Sequence, residues 1–133
     1  LIEPVRTGEA DLAIGSRYVG GVRVLNWAAR RLLLSLFANL YVRTILGLHA
    51  RDCTSGYRAY RRELLGRMNL KSIQSNGYSF LVEMLWRAKR RGARVAEVPI
   101  VFEERREGES KMSGGVIWES IFRPWRLRLT RRF

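Results

Sequence analysis

The sequence predicts an α/β fold, because short strand-like runs alternate with helical ones and no internal repeat or low-complexity tract interrupts them. Three observations carry that prediction. Leu12-Ala13-Ile14-Gly15 is a short, uniformly apolar run of the kind that forms a buried strand. Between about Trp27 and Leu46 apolar residues recur at helical spacing, and Arg94 to Glu103 returns to an extended pattern. At 133 residues, 47% of them apolar, the chain suffices for one packed core and not for two.

Each element has its own signal. The first strand ends at Ser16-Arg17, and Gly20-Gly21 makes the turn that follows. Asn26 is placed to cap the helix from about Trp27 to Leu46, and Gly47 to stop it. On that helix Leu34, Ala38, Tyr41, Ile45 and Leu48 define an apolar face, whereas Arg31, Ser35, Asn39 and Arg43 recur every fourth residue as a polar stripe. Asp52-Cys53-Thr54-Ser55-Gly56 reads as a loop of turn formers leading into a short strand at Tyr57 to Tyr60. A short helix is expected at Arg61 to Met68. After Ser75-Asn76-Gly77 a second clear helix runs from about Ser79 to Arg91, closed by Gly92, with Leu81, Met84, Leu85 and Ala88 toward the core.

The strand expected over Arg94 to Glu103 contains Pro99, which points to an edge position or a bulge. Glu104 to Gly115 is too charged to be core. From Val116 to Phe133 Trp118, Phe122, Trp125, Leu127 and Leu129 alternate with Arg123, Arg126, Arg128, Arg131 and Arg132, and Pro124 is expected to break or restart that helix. The predicted organisation is therefore 1–115 as one α/β unit and 116–133 as an amphipathic basic segment.

Charge restricts the partners. Lys and Arg number 25 against 12 Asp and Glu, a formal net charge of +13, which calls for an anionic partner. Nucleic acid, acidic lipid and a phosphorylated substrate all satisfy composition alone. Only Lys71, Lys89 and Lys111 are lysines, so bidentate guanidinium contacts to phosphate are available in number. The single cysteine, Cys53, excludes an internal disulfide and fits a reducing compartment. With one histidine, His49, and no paired cysteines, no zinc site is supported. The longest nearly uninterrupted apolar stretch, Leu32 to Val42, is too short to cross a bilayer.

Four segments occur in an order that carries more information than any one of them: ADLAIGSRY (Ala10 to Tyr18), NWAARRLLLSLFAN (Asn26 to Asn39), DCTSGYRAY (Asp52 to Tyr60) and EVPIVFEERREGESKMS (Glu97 to Ser113). SNGYSFLVEM (Ser75 to Met84) fits the same series. The set resembles the dolichol- and polyprenol-phosphate mannose synthases, a branch of the family-two glycosyltransferases with the GT-A fold. The resemblance covers nearly the whole chain. It implies the C-terminal part of a Rossmann-like mixed sheet flanked by helices, ending in an interfacial helix. The family's nucleotide-binding unit and acidic metal motif have no counterpart here, and no Asp-x-Asp occurs. A departure is Gly20-Gly21, where the family often has a proline in the turn.

What the resemblance implies is transfer of mannose from GDP-mannose to a polyprenyl or dolichyl phosphate, with inversion and with Mg2+ or Mn2+ held upstream of residue 1. The setting implied is the cytoplasmic face of an anionic membrane surface. The isolated half is expected to be inactive. A phosphate monoester acceptor is already ionised at neutral pH, its second pKa being about 6. Fixed cations are therefore needed more than a general base. By resemblance Arg17, Arg31, Ser35 and Asn39 bind the acceptor phosphate, while Asp52 and Arg105 stand at the reacting centre. Gly56, Arg58, Glu83, Ser110 and Lys111 are then donor or loop contacts.

Each of these residues also has a plainer explanation. Arg17 fits a surface turn, Arg31 and Ser35 a solvated helix face, Asp52 an Asx-turn, and Glu83 a surface salt bridge to Arg87. The loop around Arg105 fits a solvated charged segment, and the basic C-terminal segment fits packing against another part of a longer protein. A UDP-glucose or UDP-N-acetylglucosamine donor remains open, as does a non-catalytic peripheral membrane module. Nucleic acid is the rival partner on charge alone. It is not expected, because no binding motif is present and the aromatics fall at core spacing.

Overall fold

Strand β1 (Leu12–Ser16) is the axis of the fold, and all five of its residues are buried. The structure, a computed structural model, describes residues 1–21, 24–25, 29–73, 77–103 and 114–130. β1 pairs antiparallel with β3 (Arg58–Tyr60), Leu12 opposite Tyr60, and parallel with β4 (Val95–Pro99), Leu12 opposite Val95. The order β3-β1-β4 makes a small mixed sheet. A one-turn helix, α1 (Glu3–Arg6), precedes it. Gly15 is required by space, since a Cβ there would stand 2.8 Å from the Tyr57 ring.

The run expected as one strand over 94–103 is two. β4 ends at Pro99, opposite Ser16, and the amide of Ile100 still donates to the Ser16 carbonyl (2.9 Å). The chain then leaves β1, and β5 (Phe102–Glu103) pairs in parallel with β2 (Val24–Leu25). Pro99 lies in the edge strand of this sheet, as its sequence predicts, and the pairing with β1 does not need the N–H it lacks, because the neighbouring Ile100 amide makes that bond.

Helix α2 (Ala29–Leu46) ends as its sequence predicts: Gly47 takes φ +65°, and the Leu48 amide returns to the Arg43 carbonyl. Lys89 adds a hydrogen bond to the Gly47 carbonyl. The predicted faces of this helix need correction. Ile45 and Leu48 are buried with Val42 and Leu46, but Leu34 is 53% exposed, and Leu33, Phe37 and Leu40 also face outward. From the polar stripe, Asn39 is buried instead. In the N-terminal half of α2, Leu33, Leu34, Phe37 and Leu40 all lie outside the core cluster.

The chain continues through α3 (Arg62–Arg67) and a 3-10 turn (Leu70–Ser72) into α4 (Gly77–Arg90), whose residues 82–88 are all buried. Leu64 of α3 and Leu85 of α4 are sealed in the core with Leu12 and Ile14. Each such side chain contributes roughly 1.5–3 kcal/mol. The Glu83–Arg87 pair expected on the surface is instead at 1% and 2% side-chain exposure, with a 2.7 Å contact. Arg123 reaches the same carboxylate at 3.5 Å. Arg87 also donates to the Asn69 carbonyl and the Ser72 hydroxyl, both at 2.7 Å, so the buried charge is fully engaged.

Helix α5 (Gly114–Thr130) begins inside the segment expected to be loop and runs through Pro124 without interruption. Pro124 and Leu127 are buried against the rest of the fold. The Tyr41 hydroxyl donates to the Ile121 carbonyl (2.8 Å) and accepts from the Trp125 indole (2.9 Å), bracing the turn that contains the proline from outside. Arg128 donates to the Ile45 carbonyl in the last turn of α2. Asn26, Ser75, Asn76, Arg131, Arg132 and the side chain of Trp118 lie outside the described residues.

Replacing Glu83 by Ala leaves Arg87 buried without its carboxylate. The expected loss is about 3–5 kcal/mol of unfolding free energy, read by urea denaturation of the full-length protein. A loss under about 1 kcal/mol, the range of a screened surface pair, would contradict this placement.

Candidate functional site

The carboxyl end of β1 delivers Arg17 into the loop between α2 and β3, where it meets Asp52. The Arg17 backbone amide, Nε and Nη2 all donate to the Asp52 carboxylate, at 2.9, 2.7 and 2.8 Å. Arg17 is 7% exposed and Asp52 is fully buried. Nη2 also donates to the Thr54 hydroxyl (2.8 Å), and the guanidinium stacks 5.2 Å from the centre of the Tyr18 ring. Asp52 closes its own loop as well, accepting from the amides of Thr54 and Ser55.

Helix α2 holds the other wall. Ser35 and Tyr18 share a 2.6 Å hydroxyl–hydroxyl hydrogen bond. Asn39, buried a turn later, accepts from the Cys53 amide (2.6 Å) and donates to the Ser35 carbonyl (3.0 Å). Arg31 stands half-buried one turn before Ser35. Arg58 supports the loop from β3, donating to the carbonyls of Ser55, Cys53 and Leu81 at 2.7–2.8 Å. At Gly56 a Cβ would meet Leu81 at 3.8 Å, ordinary contact distance, among the described residues. From β4, Glu97 accepts from the Asp52 amide (3.0 Å).

Arg17, Ser35, Asn39, Asp52 and Arg58 thus belong to one neighbourhood. Glu83 ion-pairs with Arg87 and Arg123 between α4 and α5. Arg105, Ser110 and Lys111 lie outside the described residues. Sequence reasoning missed Thr54 and Glu97 as supports of the loop. Glu97 had one usable signal, a carboxylate in a strand running beside the G-S-R-Y strand end.

Burial pushes the Asp52 carboxyl up, but the hydrogen bonds and charge of Arg17 outweigh it and hold the group below the usual carboxylate range. Cys53 shows burial winning instead: its thiol is pushed up to about 12, so it is an inert structural thiol. Among the described residues no group of three or more His, Cys, Asp or Glu is placed to hold a metal ion, and both Asp52 oxygens are already bonded.

The chain is 52% identical over 130 residues to polyprenol monophosphomannose synthase of Mycolicibacterium smegmatis, covering 96% of this chain and 49% of that protein. It is 48% identical over 133 residues to undecaprenyl-phosphate mannosyltransferase of Micrococcus luteus, covering all of this chain and 54% of that protein. Dolichol-phosphate mannosyltransferase of Pyrococcus furiosus is 39% identical over 129 residues, covering 96% of this chain and 35% of that protein. Over nearly its whole length the chain is similar to part of each of these polyprenyl-phosphate mannosyltransferases.

The match to these mannosyltransferases takes in nearly the whole chain, yet the chain spans about half the length of the first two. No family model matches it.

Because the folded state lowers the Asp52 pKa from 3.8, the pair contributes stability at neutral pH. That contribution is lost as pH falls through the lowered value. Asp52→Asn is expected to cost about 3–5 kcal/mol at pH 7 and to flatten the acid limb of the stability curve below about pH 4, followed by denaturation across pH. Cys53 is expected to react with a thiol reagent at pH 8 only at the rate of unfolding; fast labelling of the native protein would contradict its burial.

Proposed function

We propose that this chain is the acceptor-binding half of an inverting GT-A glycosyltransferase that moves mannose from GDP-mannose to a polyprenyl phosphate at a membrane surface. The observation that carries this reading is the identity, over nearly the whole chain, with proteins named for polyprenol, undecaprenyl and dolichol phosphate mannosyl transfer. The geometry supports it by placing the hydroxyls of Ser35 and Tyr18 beside the Arg17 cluster, with Arg31 one helical turn away.

In the proposed reaction an oxygen of the acceptor phosphate attacks the anomeric carbon, and the bond to the nucleoside diphosphate breaks with inversion. No proton has to be removed from that oxygen at neutral pH. Asp52, held by Arg17, is accordingly a positioning residue rather than a base. Ser35 and Arg31 supply a hydroxyl and a guanidinium to the acceptor phosphate, and Arg105 a cation at the reacting centre. Among the described residues no group of three or more His, Cys, Asp or Glu is placed to hold a metal ion; Mg2+ or Mn2+, as proposed, would be held by residues outside them and would neutralise the departing nucleoside diphosphate.

Membrane placement on a cytoplasmic face is part of the proposal. No helix among the described residues is long and apolar enough to cross a membrane. Leu33, Phe37 and Leu40 on α2 and Phe122, Trp125 and Leu129 on α5 are exposed at 47–78%, on two helices that pack together. Such side chains set among arginines suit the bilayer interface.

The test is transfer by the full-length protein from GDP-mannose, UDP-glucose and UDP-N-acetylglucosamine to a polyprenyl phosphate. Turnover with GDP-mannose is expected, and Arg31→Ala or Arg105→Ala is expected to lower it by about 100-fold or more, the usual size of a lost charge-stabilising donor. Turnover only with a UDP-sugar, or unchanged rates in both variants, would remove this reading.

A further inference from the structure

Tyr18 is 6% exposed, and its phenol hydroxyl lies 2.6 Å from the Ser35 hydroxyl on α2. The tyrosine is held from its other side. Its backbone amide donates to the Ser16 hydroxyl (3.3 Å), and the Arg17 guanidinium, itself fixed by Asp52, lies 5.2 Å from the ring centre. Ser35 is held as well, because its carbonyl accepts from the side-chain amide of Asn39 (3.0 Å). Two well-supported residues therefore share one hydrogen bond, in which either oxygen can donate.

An anionic ligand gives that bond a direction. Each hydroxyl has one proton and two lone pairs. A phosphate monoester above its second pKa of about 6 carries acceptors only, so Ser35 can bind it only by donating its single proton. Ser35 Oγ then has lone pairs alone to offer Tyr18, and the phenol must be the donor. The result is a chain in which Tyr18 Oη–H donates to Ser35 Oγ and Ser35 Oγ–H donates to the phosphate. Each bond in such a chain polarises the next. Without the phenol, a helical serine tends to turn its hydroxyl back to the carbonyl four residues earlier, here that of Arg31.

We propose that Tyr18 is a positioning residue for the acceptor, aiming the Ser35 proton at the polyprenyl phosphate without touching that phosphate itself. The inference rests on the acceptor role of Ser35 proposed above. It also connects the Arg17–Asp52 pair to the acceptor, since Arg17 packs on the ring whose hydroxyl sets Ser35.

The experiment is steady-state mannosyl transfer by the full-length protein, with GDP-mannose and polyprenyl phosphate varied separately. Tyr18→Phe keeps the ring against Arg17 and removes only the hydroxyl. It is expected to raise KM for the polyprenyl phosphate about tenfold, the effect of one lost hydrogen bond, and to leave KM for GDP-mannose at the wild-type value. Ser35→Ala is expected to raise the same KM by at least as much. Because Tyr18 acts through Ser35, adding Tyr18→Phe to Ser35→Ala is expected to cost nothing further.

A double variant about tenfold worse than Ser35→Ala would show that Tyr18 contributes independently and would overturn the proposal. An equal rise in both KM values would do the same, since it marks a general disturbance of the fold. Wild-type transfer that Tyr18→Phe leaves untouched removes the Tyr18 role alone and leaves the proposed function standing. Absence of transfer to polyprenyl phosphate by the wild type removes the proposed function, and the Tyr18 role with it.

Discussion

The ion pair between Arg17 and Asp52 is the constraint on which the loop region depends. Two groups of opposite charge are withdrawn from water, and that is tolerable only when nearly every donor and acceptor between them is matched. Here three Arg17 donors and the amides of Thr54 and Ser55 converge on one carboxylate. The pair fixes where β1 ends and where the loop starts. Asn39, Arg58 and Glu97 then hold that loop from α2, β3 and β4. A site assembled this way is rigid because each support comes from a different element.

Helix α2 does different work along its length. Its C-terminal half is core, through Val42, Ile45 and Leu46. Its N-terminal half presents Leu33, Leu34, Phe37 and Leu40 outward. Between these lie Ser35 and Asn39, turned toward the Arg17 loop. A helix that meets the sheet, a polar loop and open surface in turn cannot show a single continuous apolar stripe.

The second buried charge cluster explains how the C-terminal helix is held. Glu83 accepts from Arg87 in its own helix and from Arg123 in α5. Tyr41 and Arg128 tie α5 to α2 through backbone carbonyls. These contacts anchor α5 to α2 on both sides of Pro124, and the helix runs through the proline. Holding α5 against α2 also brings their exposed aromatic and leucine side chains onto neighbouring helices.

The local features were legible in the sequence because their causes are local. Glycines at positions 47 and 92 close helices by adopting positive φ, the uniform apolar run 12–15 forms the central strand, and the turn formers of 52–56 form a loop. The ordered motifs likewise located the mannosyltransferase relationship, since motif order survives without coordinates. Tertiary structure alone decided the long-range partners. Arg17 and Asp52 are 35 residues apart, and nothing local indicates that one guanidinium is consumed by that carboxylate. The same holds for the burial of Glu83 and the unbroken path through Pro124. In each case a local preference was overridden by what packed against it, and packing partners distant in sequence leave no periodic trace in it.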